Sequence, residues 1–181
     1  MDAPAIITAL APLVAGAAYE AAPGVDVATI YVPADRLVAT CAALRDHPPL
    51  RFNVLVEVTA ADYFPRDPRF EVVYHLLSVP HRHRVRLKVR TSEALAVPTV
   101  QGIWPCAGWL EREVWDMFGI VFDGHPDLRR LLMPEDWEGH PQRKDYPVQI
   151  RKTVQTYEPL EVTEEEFKAN MQRDRMRRTT H

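Results

Sequence analysis

Residues 124–147, GHPDLRRLLMPEDWEGHPQRKDYP, hold the densest set of chemically capable side chains in the chain. His125, Asp127, Asp136, Glu138 and His140 are all metal-ligand types, and a hydrolytic centre using His125, Asp136 and His140 can be drawn from them. The spacing argues against it. No H-E-x-x-H or other tight ligand pattern is present, and Arg129, Arg130, Arg143 and Lys144 lie among the acids as ready counter-ions. Each histidine precedes a proline, which favours extended backbone and a stiff turn. The same stretch carries Leu128, Leu131, Leu132, Met133, Trp137 and Tyr146. Large apolar groups mixed with balanced charge are the composition of a protein–protein interface, with aromatic and arginine anchors and acids to pair them. Exposed ion pairs give only about 0–1 kcal/mol each. A merely solvated loop therefore accounts poorly for this stretch, and binding ranks above catalysis.

Other chemistries find less support. An iron–sulfur cluster needs about four cysteines, and Cys41 and Cys106 stand alone. There is no C-x-x-C-H, no G-x-G-x-x-G and no G-x-x-x-x-G-K-[ST]. Ser78 and Ser92 are the only serines, neither in G-x-S-x-G. His81 and His83 form H-x-H, but at an expected turn between arginines that would repel a cation, so they read as an exposed polar turn. His75 reads as a sheet residue and Cys106 as a small helix residue.

The elements that must position these groups can be read from periodicity. Ala3–Tyr19 is expected to be an amphipathic helix bent near Pro12; it lacks the basic start of a secretory signal, and the first basic residue is Arg36. Asp26–Val32 alternates as a strand, and residues 33–47 place Leu37, Cys41 and Leu44 on one helix face. In RFNVLVEVTA, Phe52, Val54, Val56 and Val58 fall on one face, while Arg69–Val79 is apolar on both, as in a central strand. HRVRLKVRT sets Val85, Leu87 and Val89 against Arg84, Arg86, Lys88 and Arg90, and PHRH turns it back on the preceding strand as a hairpin. From Trp104 to Phe118 a helix carries Ile103, Ala107, Leu110, Val114 and Met117 as one stripe, ending at Gly119. The β-α-β-β-β-α order predicts an α+β fold, a largely antiparallel sheet with helices packed on it and an extended C-terminal wrap. The expected divisions are an N-terminal helical segment over 1–24, a core domain over 25–119, a charged loop over 120–147 and a tail over 148–181. Thr163 and Glu166 form a capping box in that tail. With little apolar surface of its own, the tail is expected to be ordered by docking on partners.

The 181 residues, 46% hydrophobic and 26% charged, carry a formal net charge of −3. That is enough chain for one domain with extensions. It is not the basic balance that nucleic-acid binding requires. Two isolated cysteines point to a reducing compartment.

One ordered run stands out. Glu111-Arg112-Glu113, two residues, Asp116-Met117-Phe118, six residues, His125, then Asp127 and Arg129-Arg130-Leu131-Leu132 resembles the signature of the 30-kilodalton subunit family (the C subunit) of proton-pumping NADH:quinone oxidoreductase, respiratory complex I. LMPEDWEGHPQRKDYP, with Trp137, His140, Arg143, Lys144, Asp145 and Tyr146, is similar to that family's continuation. Gln142 departs from it, standing where an apolar residue is expected. The resemblance implies a non-catalytic subunit of the peripheral arm, with no cofactor in this chain and with FMN and iron–sulfur clusters in partner subunits. The implied partners are the quinone-site subunit and neighbouring iron–sulfur subunits. The complex passes electrons from NADH to quinone and translocates protons. The implied place is peripheral, on the cytoplasmic side of a bacterial inner membrane, reached through partners and in the stand-alone form of the subunit. Within it, the helix face bearing Glu111, Arg112, Glu113 and Asp116, together with Asp127, Arg129 and Arg130, is expected to fix the loop and a partner surface. Equivalent subunits of membrane-bound hydrogenases or quinone-linked dehydrogenases are the nearer alternative, and the free-standing metal hydrolase the farther one.

Overall fold

The computed structural model describes residues 1–23, 26–147 and 163–178. The chain divides into two units, Met1–Pro147 and Val148–His181. The first unit opens with α1 (Ala3–Leu10), capped by the Asp2 carboxylate, which accepts the Ala5 N–H at 3.1 Å. The helix stops at Leu10 rather than bending on to Tyr19. Pro12 has no N–H for the Thr8 carbonyl, and its ring crowds that carbonyl. The segment after it includes a short strand, β1 (Glu20–Ala22), which carries no periodicity long enough to read.

Next come β2 (Ala28–Tyr31), a 3-10 turn (Ala34–Arg36), α2 (Leu37–Asp46), β3 (Val54–Asp62), β4 (Phe70–Ser78), β5 (His83–Thr91), β6 (Val97–Pro98), α3 (Ala107–Phe118) and β7 (Phe122–Asp123). Five strands form one sheet in the order β1-β2-β5-β4-β3, antiparallel except for β2 beside β5. β4 and β5 form the expected hairpin. Val85, Leu87 and Val89 bury with Val72, Tyr74, Leu76 and Ile30, and with Leu37, Cys41 and Leu44 of α2, in one core.

Two strand readings change. β4 is wholly buried on one face, through Phe70, Val72, Tyr74 and Leu76, but His75 and Leu77 on the other are only half-buried. In β3 the even-numbered alternation fails at Val56, which is 57% exposed, while Leu55 and Val58 are buried. A β-bulge lies between Leu55 and Glu57, opposite Leu76 and His75. The extra residue turns Val56 outward and shifts the core-facing positions.

α3 packs against β3, and the parallel pair β6–β7 brackets it, joining the segments that enter and leave the helix. In the second unit, α4 (Glu164–Arg178) starts at the expected capping box. Thr163 Oγ1 accepts the Glu166 N–H at 3.3 Å, and Glu166 Oε2 accepts the Thr163 N–H at 3.2 Å. Residues 148–162 and 179–181 of the expected tail lie outside the described residues.

Candidate functional site

α3 is amphipathic in an unusual sense: its apolar stripe is buried, and so are three of its charged residues. Glu111 and Asp116 are fully buried and Arg112 is 7% exposed. Such groups are tolerated only when every charge is answered, and each is answered by backbone from a neighbouring loop.

At the start of the helix, Glu111 holds residues 99–101. Its Oε1 accepts the Val100 N–H at 2.8 Å and its Oε2 the Thr99 hydroxyl. Burial pushes this carboxyl's pKa up, against the opposing pull of those two donors and of His125. His125 Nε2 lies 3.0 Å from the Gly108 carbonyl, and its Nδ1 lies 3.1 Å from the Asp127 N–H. A carbonyl only accepts and a backbone N–H only donates, so the proton is on Nε2. Both ring nitrogens are thereby engaged. Arg112 donates to the carbonyls of Arg129 at 3.1 Å and Arg130 at 2.9 Å, and stacks 4.9 Å from the Trp109 ring centre.

Asp116 is the central post. Its Oδ2 accepts the N–H groups of Leu131, Leu132 and Met133 at 3.0, 2.8 and 2.8 Å, and its Oδ1 accepts from Arg130 Nη1 at 2.6 Å. Burial alone would raise its pKa. The three N–H groups and the guanidinium outweigh that and hold the carboxyl below the ordinary range. Arg130 Nη2 also binds the carbonyls of Trp137 and Gly139, at 2.6 and 3.1 Å.

The last turn of α3 leaves carbonyls that no helical N–H can reach. The loop satisfies them in sequence: His140 Nδ1 donates to Asp116 O at 3.0 Å, the Gln142 N–H to Met117 O at 3.0 Å, and Arg143 Nε to Phe118 O at 2.5 Å. An arginine also suits the negative end of the helix dipole. Gly119 makes this approach possible. It is left-handed, φ +75°, and a Cβ there would meet the His140 ring at 2.5 Å and Arg143 at 2.6 Å. Burial, with Arg143 and Arg130 nearby, favours neutral His140.

The end of the loop fastens to the sheet. Asp62 accepts the Lys144 N–H at 2.9 Å and two bonds from Arg69, at 2.7 and 3.0 Å. Arg69 also pairs with Asp145 and Glu93, and its guanidinium lies about 5 Å from the Phe64 and Phe70 rings. Arg69 holds the Asp62 carboxyl far below the usual range, despite its burial. The Tyr146 hydroxyl donates to Glu138 O at 3.1 Å.

The arrangement therefore binds chain to chain. Of the residues singled out from sequence, Glu111, Arg112, Asp116, His125, Arg130, His140, Arg143, Asp145 and Tyr146 have their side chains in intrachain contacts, and Lys144 contributes its backbone. Phe118 is buried and Trp137 half-buried. Glu113 is exposed, and Asp127 and Arg129 form an exposed pair at 2.9 Å. The candidate metal trio does not converge. His125 is tied to Gly108 and His140 to Asp116, eight residues apart on one helix, about 12 Å along its axis, and Asp136 is exposed. Among the described residues no group of three or more His, Cys, Asp or Glu is placed to hold a metal. Sequence reasoning missed Asp62, Arg69, Glu93 and Thr99, which contact one another and the clasp across separations that reach 82 residues.

A family model described as "Respiratory-chain NADH dehydrogenase, 30 Kd subunit" matches residues 30–152. The NADH-quinone oxidoreductase C subunit of Caulobacter sp. (strain K31) is 51% identical over 142 residues, 73% of this chain and 65% of that protein. The C subunit of the Roseiflexus sp. (strain RS-1) NADH-quinone oxidoreductase is 52% identical over 71% of this chain and 75% of its own. The match thus spans about two thirds of the Caulobacter protein. A chain in the structure of the membrane-bound sulfane sulfur reductase, an archaeal respiratory membrane complex, superimposes with a TM-score of 0.64 at 28% identity, covering 80% of this chain and 83% of that one.

Proposed function

We propose a function from one premise: the chain belongs to the family of the 30-kilodalton subunit of respiratory-chain NADH dehydrogenase. Its role is to hold neighbouring subunits of an NADH:quinone oxidoreductase in fixed relation, without carrying the reaction itself. In this reading FMN and the iron–sulfur clusters sit in partners, and the chain packs against the quinone-site subunit in the peripheral arm. Electrons pass through its neighbours to quinone, and the complex couples this to proton translocation. The chain lies on the cytoplasmic side of the inner membrane and meets the bilayer through partners. Among the described residues no helix is long and apolar enough to cross a membrane.

The observation that carries the reading is the clasp on α3. Buried Asp116 and the three terminal carbonyls of the helix engage the N–H groups of Leu131, Leu132, Met133 and Gln142 and the side chains of Arg130, His140 and Arg143, which makes a charge-rich loop rigid. Clasped together, helix and loop present Glu113 of α3 and the exposed Asp127–Arg129 pair outward at fixed positions, as a partner surface requires. The C-terminal unit adds a second attachment. Phe167 and Met171, one turn apart on α4, are 58% and 56% exposed and form an apolar stripe for a partner to cover.

The test is an affinity purification of the tagged chain from gently solubilised native membranes, with partners identified by mass spectrometry and NADH:quinone activity assayed. Recovery of flavin and iron–sulfur subunits with that activity is the expected result. A different oxidoreductase among the partners reassigns the assembly, and a lone chain rejects the reading.

A further inference from the structure

The β4–β5 hairpin carries a charge pattern that the clasp does not use. Arg84, Arg86, Lys88 and Arg90 alternate with buried Val85, Leu87 and Val89, so all four project from the face of the sheet opposite the core. At one end of β5 the cations are answered within the chain. Lys88 Nζ lies 2.9 Å from Glu71, Arg90 lies 3.1 Å from Glu20, and the Arg90 guanidinium covers the Tyr31 ring at 3.7 Å. At the other end Arg84 and Arg86 have no carboxylate partner among the described residues.

Two more arginines join them there. Arg82 lies in the hairpin turn and Arg51 in the adjoining loop, both exposed. Among the described residues these are the two non-glycines with positive φ, +54° and +41°. Their segments are tied together: His81 Nε2 donates to the Pro48 carbonyl at 2.9 Å, and Asn53 Oδ1 accepts the Val79 N–H at 3.1 Å. Left-handed backbone is disfavoured for a residue with a Cβ, and such positions gather where a surface is used. Val79, 55% exposed, lies beside them.

We infer that this end of the sheet docks a carboxylate-rich segment of a partner subunit. The inference rests on the reading above, that the chain works inside an assembly. The guanidinium sets the partner chemistry, because its planar fork of donors matches the two oxygens of a carboxylate. The four cations gathered at this end are all arginines without an ion pair among the described residues, and two are held by strained backbone. Fixed presentation serves acceptors at defined positions, whereas attraction to a lipid surface needs no such geometry. Arginine beside an exposed apolar side chain is also interface composition.

The test uses the full-length tagged chain in its native complex. Arg84→Lys keeps the charge and introduces an amine, which a zero-length carbodiimide couples to a carboxylate in direct contact. The expected result is a cross-linked peptide joining position 84 to an Asp- or Glu-rich segment of one partner subunit. In parallel, Arg84→Glu with Arg86→Glu lowers partner recovery on the order of ten-fold at low salt, with the melting temperature of the isolated chain unchanged. If the reversed pair itself destabilises the chain, the conservative cross-link decides. Full partner recovery by the reversed pair, with no cross-link from position 84, overturns the docking surface and leaves the assembly reading intact. Loss of binding to phosphatidylserine vesicles, with partner recovery unchanged, assigns the arginines to a membrane and also overturns it. A wild-type chain that recovers no partner at all rejects the assembly reading, and this inference with it.

Discussion

Asp116 and Arg130 face each other at 2.6 Å, the carboxylate fully buried and the guanidinium side chain 13% exposed. Three backbone N–H groups share the same carboxylate. Asp116→Ala removes the acceptor for all four donors and leaves a half-enclosed cation. The expected cost is about 3–5 kcal/mol, read as a lower urea midpoint for the isolated chain. A midpoint within experimental error of wild type would show that the loop is held by other contacts.

Gly119→Ala places a Cβ at a left-handed residue and into the His140 and Arg143 side chains. Backbone strain and displacement together should cost roughly 1–3 kcal/mol, and proteolysis within residues 134–147 should quicken. Gly102→Ala is the control, since nothing lies within 4 Å of a Cβ there; it should stay within about 0.5 kcal/mol of wild type. Equal melting temperatures for the two variants would remove the role assigned to Gly119.

Two of the buried carboxyls, Asp62 and Glu111, titrate in opposite senses. Asp62 is held down by Arg69, so its contribution to stability is complete above its unfolded value, about 3.9, and is lost as pH falls below that. Glu111 is pushed up by burial, so its charged form disfavours folding at neutral pH, and that penalty is relieved as pH falls toward its unfolded value of about 4.3. Asp62→Asn should flatten the loss of stability below about pH 4. Glu111→Gln, which can still accept from Val100 and reach Thr99, should stay within about 1 kcal/mol at pH 7 and flatten the profile above pH 4. Urea titrations from pH 3 to 7 distinguish the two, and parallel profiles for wild type and both variants would contradict the assignments.

Arg129→Ala touches only an exposed pair, worth about 0–1 kcal/mol to the fold. It should nonetheless lower the yield of assembled complex on a native gel more than it lowers turnover per complex. The opposite order would argue for a part in the reaction.

Residues 148–181 should be cut readily by protease in the isolated chain and protected in the complex, because a 15-residue helix with exposed Phe167 and Met171 gains little without a partner. Equal protection in both states would count against docking.

Elements governed by local periodicity were legible. The hairpin of β4 and β5, the stripe on α3 and the cap at Gly119 each follow from residues within one or two turns or strand repeats. The bulge at Val56 was not, because the alternation in RFNVLVEVTA runs unbroken through the even positions and only pairing with β4 exposes the extra residue. Residues 111–147 could be marked as functional from their order alone. Which charges look inward could not, because Asp116 and Glu113 are alike until the loop closes over one of them. Arg69 was invisible for a plainer reason: its partners stand at positions 62, 93 and 145, and no window of sequence contains all three.

The two histidine–proline corners grip the same helix at Gly108 and Asp116, so the loop between them measures α3. One residue inserted or deleted within 109–115 would move the grips by about 1.5 Å and turn one about 100° from the other. No rotamer change can absorb that rotation. Substitutions at outward positions such as Glu113 leave the spacing intact. Length should therefore vary less than composition in this helix: a chain altered by one residue here must abandon one histidine contact or rebuild the loop.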